Sequence, residues 1–293
     1  MLDYLRRKGP KLHLFRPIED LSIFSGNLHK GALTGISTLN GASELEKYVI
    51  KSRQGTVLVS HTILKIDHWA KDNSETPSID GATNFRKVEA MDVYGVSQPT
   101  IQGISNIVHK ILSEEKTKKI IWINLREEPL IYVNSSAYVL RDKYFTLRNI
   151  KSYSGITAPR LEYIEDKLRE DVLVEISTYD NRILLHGETP NGEIIPIWED
   201  AYSENVLTIA EAMKRLKDEK QPVDYYRIPL TPEAPPDEND FDQILEIISK
   251  ADLKDTSIVL YGFIRFTLKL IISGIVKLAL GDQRQERSLP AWS

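Results

Sequence analysis

An eight-residue run, Lys118-Lys-Ile-Ile-Trp-Ile-Asn-Leu125, places apolar side chains on consecutive positions after a polar start. A strand with one face in water alternates apolar and polar residues. A run that is apolar on both faces has to be covered on both sides, as a buried parallel strand is. Just upstream, Ile101, Ile104, Ile107, Val108 and Ile111 recur at helical spacing between Thr100 and Leu112, with Pro99 expected in the first turn. Before them, Val93-Tyr-Gly-Val96 reads as a short strand. Strand, helix, strand in this order is a βαβ unit, so the chain has to build a sheet with helices packed upon it.

The rest of the chain extends that plan. Between Gly155 and Ile176, Leu161, Ile164, Leu168, Val172 and Ile176 line one face of a helix that has Pro159 in its first turn. Arg182 to His186 and Glu193 to Trp198 flank Thr189-Pro-Asn-Gly192, and an Asn-Gly pair between two such runs predicts a hairpin. Val206 to Glu219 is read as a helix and Val223 to Leu230 as a strand ended by the proline-rich loop Thr231 to Pro236. Asp240 to Ala251 is a further helix, and Thr256 to Tyr261 the last strand. The expected fold is α/β: a mostly parallel sheet flanked by helices, with an irregular N-terminal lead-in.

The organisation expected is an irregular segment over 1–45, a lead-in with short strands over 46–92, the α/β domain over 93–261, a divergent apolar helix over 262–280 and a polar tail over 281–293. Gly55 to Leu64, rich in β-branched residues, supplies a hairpin or short sheet element in the lead-in, and Lys71 to Ser78 a polar loop. The charge balance, 38 Lys and Arg against 42 Asp and Glu, leaves no cationic field for broad nucleic-acid binding. Met1 to Phe15 holds a basic cluster but no apolar run of signal-peptide length, so a cytoplasmic location is expected.

Three groups of phrases carry a family likeness: Ile79-Asp-Gly-Ala-Thr-Asn-Phe-Arg-Lys-Val88 leading into Val93 to Ile104; Trp122-Ile-Asn-Leu-Arg-Glu-Glu-Pro-Leu-Ile-Tyr-Val-Asn134; and Tyr153-Ser-Gly-Ile156 with Leu168 to Asp171, Ile194 to Glu199 and Tyr226 to Thr231. Together with Gly55-Thr-Val-Leu58 and His61 to Lys65, over roughly residues 46 to 257, they resemble the paladin family, multi-repeat relatives of the protein-tyrosine-phosphatase-like phytases. The resemblance implies a cysteine-phosphatase-like repeat acting on phosphotyrosine or inositol phosphates in intact relatives, with no cofactor. It also implies that the strand Thr256 to Tyr261 runs into a catalytic loop written C-x-x-G-x-G-R-T. There a thiolate attacks phosphorus while backbone N–H groups and an arginine hold the phosphate oxygens.

This chain departs from that pattern. It has no cysteine at all. Gly262 stands where the family has its nucleophile, bulky residues replace the loop glycines in Gly262-Phe-Ile-Arg-Phe-Thr-Leu-Lys269, and Arg265 follows Gly262 by three residues instead of six. Pro232 stands where the family has its general acid, with Glu233 and Asp237 nearby. The expected function is therefore a non-catalytic phosphatase-like binding or signalling module, with a phosphorylated protein or an inositol phosphate as partner and no catalytic residue. Arg126 and Arg265 are the candidate phosphate contacts and Lys118 and Lys119 secondary ones, while Arg126 with Glu127 and Glu128 reads first as an ion-paired strand end.

Two alternatives stand beside this reading. The likeness stops at the catalytic loop, which fits a truncated or alternatively spliced form of a phosphatase. In Ile258 to Leu280, Arg265, Lys269, Ser273 and Lys277 form one polar stripe on an apolar helix, which fits a core helix or a membrane-surface adaptor; three cations argue against a span. No metal site is expected. His61, Asp67 and His68 form the densest histidine grouping but lack the HExxH spacing.

Overall fold

The computed structural model describes residues 44–67, 79–88, 91–114, 117–189, 191–231 and 238–262. All of them lie in one compact unit. Helix α1 (Glu44–Ser52) opens it and is followed by β1 (Thr62–Ile66), β2 (Arg86–Lys87) and β3 (Val93–Val96). Helix α2 (Ile101–Leu112) leads to β4 (Lys119–Arg126), β5 (Leu130–Val133) and β6 (Ser136–Asp142). Helix α3 (Ala158–Thr178) precedes the hairpin β7 (Arg182–Glu188) and β8 (Ile194–Asp200), then β9 (Val206–Leu207) and α4 (Ile209–Asp218). The described part ends with β10 (Val223–Leu230), α5 (Glu238–Ser249) and β11 (Thr256–Tyr261).

These strands form two sheets. One has the order β10-β4-β11-β3-β2, in which β10, β4, β11 and β3 are parallel and only the edge strand β2 is antiparallel. This is the parallel sheet that the consecutive apolar run predicts: Ile120 to Arg126 of β4 are all buried. Helix α2 does connect two parallel strands, but β3 and β4 are not neighbours. The last strand, β11, pairs with both and fills the gap between them. The end of β11 therefore lies at the middle of the sheet's C-terminal edge, where open α/β sheets place their ligand sites.

The second sheet, β8-β7-β1-β6-β5-β9, is mostly antiparallel, and the sequence pattern announces its β7–β8 hairpin but not its assembly with β1, β6, β5 and β9. Its β5–β6 hairpin turns on Asn134 and Ser135, both at positive φ, in a stretch to which the sequence reading assigns no strand pair. Strand β1, from the lead-in, sits at its centre between β7 and β6. The β7–β8 hairpin is found where Asn191-Gly192 predicts it, with Gly192 at φ +81°.

One core fills the space between the sheets. Trp122, Tyr261 and Val259 from the first sheet meet Leu130, Tyr132 and Val139 from the second, with α2 and α4 closing the sides. A second core packs α5 on the other face of the parallel sheet, and a third packs α3 on the outer face of the second sheet.

Local chemistry fixes the helix starts. Thr100, not Pro99, caps α2: its side chain accepts from Gly103 N–H at 2.9 Å, and the proline stands one residue before the cap. Thr208 and Glu211 form a full capping box on α4, and Pro159 lies in the first turn of α3 as expected. The Ile79 to Ala82 turn lies against the start of α2, with Thr100 N–H donating to Gly81 O at 2.8 Å. Gly81 has φ +74°, and a Cβ on Gly103 would run into the Gly81 carbonyl, so both positions require glycine.

Candidate functional site

Because β3, β4, β10 and β11 are parallel, their C-terminal ends share one edge. Tyr261 is in register with Val96 and Asn124, and Leu230 with Arg126. Gly262 follows β11 there; its N–H donates to Val96 O at 3.3 Å. A Cβ at Gly262 would lie 3.2 Å from Leu125 Cβ, so β4 approaches too closely for a side chain to enter without a shift.

Arg126 ends β4 with 5% of its surface exposed. It pairs with Asp67 at 2.5 Å through Nη1 and with Glu128 through Nη2. Glu128 also pairs with Arg141 of β6. Burial works against charge in this cluster, lowering the pKa of Arg126 and raising that of Glu128. The opposite charges outweigh it, holding the guanidinium above its usual range and the Glu128 carboxyl down at about 2. Two positive and two negative groups are thus locked together at the strand end, and the guanidinium is committed to carboxylates.

Glu127 turns the other way. Its Oε1 accepts from the Gly155 N–H and, at 2.7 Å, from the Thr231 hydroxyl. This carboxylate ties the turn before α3 to the residue that follows β10. Behind the edge, Arg227 of β10 makes a two-pronged pair with Glu165 of α3, at 2.6 and 2.9 Å.

The strand that leads to Gly262 is itself hydrogen-bonded inward. Tyr261 donates its hydroxyl to Gln98 Oε1; Gln98 Nε2 donates to the Tyr132 hydroxyl at 2.9 Å, which donates in turn to Pro99 O at 3.2 Å. Burial raises the pKa of both phenols, so they remain neutral donors. Asn124 Nδ2 meets the Tyr225 hydroxyl at 3.0 Å.

The sequence-derived residues fall at different places. Gly262, Arg126 and Glu127 share the C-terminal edge. Lys118 and Lys119 lie at the opposite end of β4, paired with Asp255 and Asp224. His61 is exposed before β1, while Asp67 faces Arg126. Pro232, Glu233, Asp237, Arg265, His68 and the segment 263–293 lie outside the described residues. The Gln98–Tyr261–Tyr132 chain and the Asp67–Arg126 pair join residues far apart in sequence, and no local pattern marks them.

A cavity of about 470 Å³ opens away from this edge, between α1 and α3. Its floor is Arg53, whose Nε, Nη1 and Nη2 are all taken by Glu175 and by the carbonyls of Thr62 and Leu184. This arrangement joins elements and leaves no donor nitrogen open to a ligand.

The family model for PTP-like phytases, described as inositol hexakisphosphate, matches residues 123–277. The chain belongs to the PTP-like phytase family. The family match runs through Gly262 and 15 residues beyond it. Among curated proteins the chain is similar to paladin of Gallus gallus, 28% identical over 196 residues, which are 66% of this chain and 21% of the relative. Paladin of Homo sapiens is 27% identical over 176 residues, 59% of this chain and 17% of the relative. The matched region thus spans about a fifth of these relatives. The tandemly repeated protein tyrosine phosphatase like phytase from Mitsuokella multacida shares the fold at TM-score 0.50 and 17% identity, over 78% of this chain and 41% of that chain. The phosphatase-like α/β fold expected from the family phrases is the fold observed.

Proposed function

We propose that this chain is a phosphatase-like module that binds a phosphorylated partner, an inositol phosphate or a phosphoprotein, and performs no thiolate chemistry. The observation that carries the reading is the end of β11, where Gly262 packs against Leu125 in a chain with no cysteine; the reading takes this glycine as standing at the nucleophile position. Arg126 supports it, since an arginine committed to Asp67 and Glu128 acts as a structural anchor of the edge and has little left to grip a phosphoryl group. The family match continuing past Gly262 favours divergence within the family over replacement of the segment by foreign sequence. The family's own description makes inositol hexakisphosphate the first ligand to try.

The test is an assay of the purified chain with an aryl phosphate and with inositol hexakisphosphate, with and without vanadate, beside calorimetric titration of the latter. No vanadate-sensitive turnover is expected, together with measurable binding. Clear vanadate-sensitive turnover removes the non-catalytic reading; absence of both turnover and binding removes inositol hexakisphosphate as the ligand.

A further inference from the structure

The connection between β6 and α3 inverts the usual placement of side chains. Two tight turns follow one another, closed by Phe145 N–H to Asp142 O and Arg148 N–H to Phe145 O, each at 3.1 Å. Within them Thr146 is buried at 1% exposure, while Tyr144, Phe145 and Leu147 are exposed at 53, 40 and 52%. Folding alone would bury the phenylalanine and leave the threonine in water. The turn is also held firmly, by Lys143 N–H to His61 O at 2.9 Å and Tyr144 N–H to Asp142 Oδ1 at 2.8 Å, so its apolar tip is fixed outward. Exposed apolar side chains clustered in this way mark a contact surface.

Charge indicates what the surface contacts. From Lys143 to Leu161 there is no acidic residue, and Lys143, Arg148, Lys151 and Arg160 are cationic, in a chain whose net charge is -4. Lys143 Nζ lies 5.0 Å over the Tyr144 ring, so charge and aromatic surface are presented together. An exposed turn of two aromatics and a leucine, flanked by Lys143 and Arg148, complements an apolar layer beneath a sheet of negative headgroups.

We propose that the Lys143–Arg148 turn is a membrane-contact loop that inserts Tyr144, Phe145 and Leu147 into an anionic lipid surface, with Lys143 and Arg148 at headgroup level. This is independent of the phosphatase-like reading. It is also distinct from membrane contact through 258–280, most of which lies outside the described residues.

The test is flotation of the full chain with phosphatidylcholine vesicles, with and without phosphatidylserine, and with soluble polyglutamate as an alternative acidic partner. The expected result is binding to the phosphatidylserine vesicles, weakened by salt and absent from phosphatidylcholine alone. Phe145→Ser with Leu147→Ser should lower the bound fraction about tenfold, and Arg148→Glu should remove most of the salt-sensitive part. Because these side chains are exposed, the thermal melts of the variants should match the parent. Failure of the parent chain to float, flotation of the variants equal to the parent, or binding to polyglutamate without binding to vesicles would each overturn the proposal.

Discussion

His186 on β7 has no exposed surface, lies near Arg53 and makes no hydrogen bond of good geometry with either ring nitrogen, though the Leu64 backbone is close by. Burial and then the Arg53 charge push its pKa from 6.5 down to about 3, so the folded protein holds the ring neutral. An unfolded chain takes up a proton at this ring as pH falls below 6.5, and the folded one does not until about 3. Stability is therefore lost through that window at up to about 1.4 kcal/mol per pH unit. Glu128 acts in the same direction lower down: its carboxyl is held at about 2 against an ordinary 4.5, so its contribution is present above 4.5 and lost between those values. Urea melts of the parent chain and of His186→Leu between pH 7 and 3 separate the two groups. The substitution should flatten the curve above pH 4.5 and leave the part of the fall below pH 4.5 that Glu128 contributes. Parallel curves would show that His186 is not the group responsible. At the end of β11, Gly262→Cys should cost about 1–3 kcal/mol by crowding Leu125 and, on the proposed reading, restore no turnover, measured by melting and by the aryl phosphate assay.

At the scale of elements, the join between β1 and β7 is the weak seam of the second sheet. The two strands are parallel, and only Lys65 and His186 are in register. At Thr62 and Leu184 an ion pair replaces the missing rung: Arg53 donates to both carbonyls, and Glu175 accepts from Leu184 N–H at 3.3 Å. Helices α1 and α3 are thereby fastened to the sheet through one buried pair. Arg53→Met should cost about 3–5 kcal/mol, because Glu175 then keeps a buried charge without its partner. The double variant Arg53→Met, Glu175→Leu should be less destabilised than the single one. A loss below about 1 kcal/mol in the single variant would show that the pair is not the rung. None of this is legible in sequence: Arg53 and Glu175 are 122 residues apart, and helix α1 falls largely in the lead-in that reads as short strands. Strand β4 was legible because burial on both faces leaves a continuous apolar run. The β7–β8 hairpin was legible because Asn191-Gly192 dictates its own turn. The β5–β6 hairpin was not, because Asn134-Ser135 has no glycine to announce positive φ. At the candidate site, the sequence placed Arg126 at the end of β4 and Gly262 just after the last strand, but the carboxylates that occupy Arg126 come from 59 residues upstream and from two residues on.

For the described unit as a whole, the physical question is whether two sheets make one cooperative structure. Three features couple them. Trp122 and Tyr261 of the parallel sheet share a core with Leu130, Tyr132 and Val139 of the other. Tyr261 reaches Tyr132 through Gln98. Glu165 of α3 holds Arg227 of β10 in a pair with 0 and 1% of side-chain surface exposed, and also accepts from Leu130 N–H at 3.1 Å. The second sheet cannot separate without exposing the large side chains of that shared core, so the two should unfold together. Trp122 lies in the parallel sheet and Trp198 on the edge strand β8, so single-tryptophan variants retaining one or the other report the sheets separately. Urea unfolding followed by either fluorescence signal should give one midpoint. Glu165→Ala should lower that midpoint for both probes alike, by an amount corresponding to about 3–5 kcal/mol, because Arg227 is left charged in the interior. If Glu165→Ala instead splits the transitions, with Trp198 reporting the earlier one, the shared core is too weak alone and the buried pair is what makes the two sheets one folding unit.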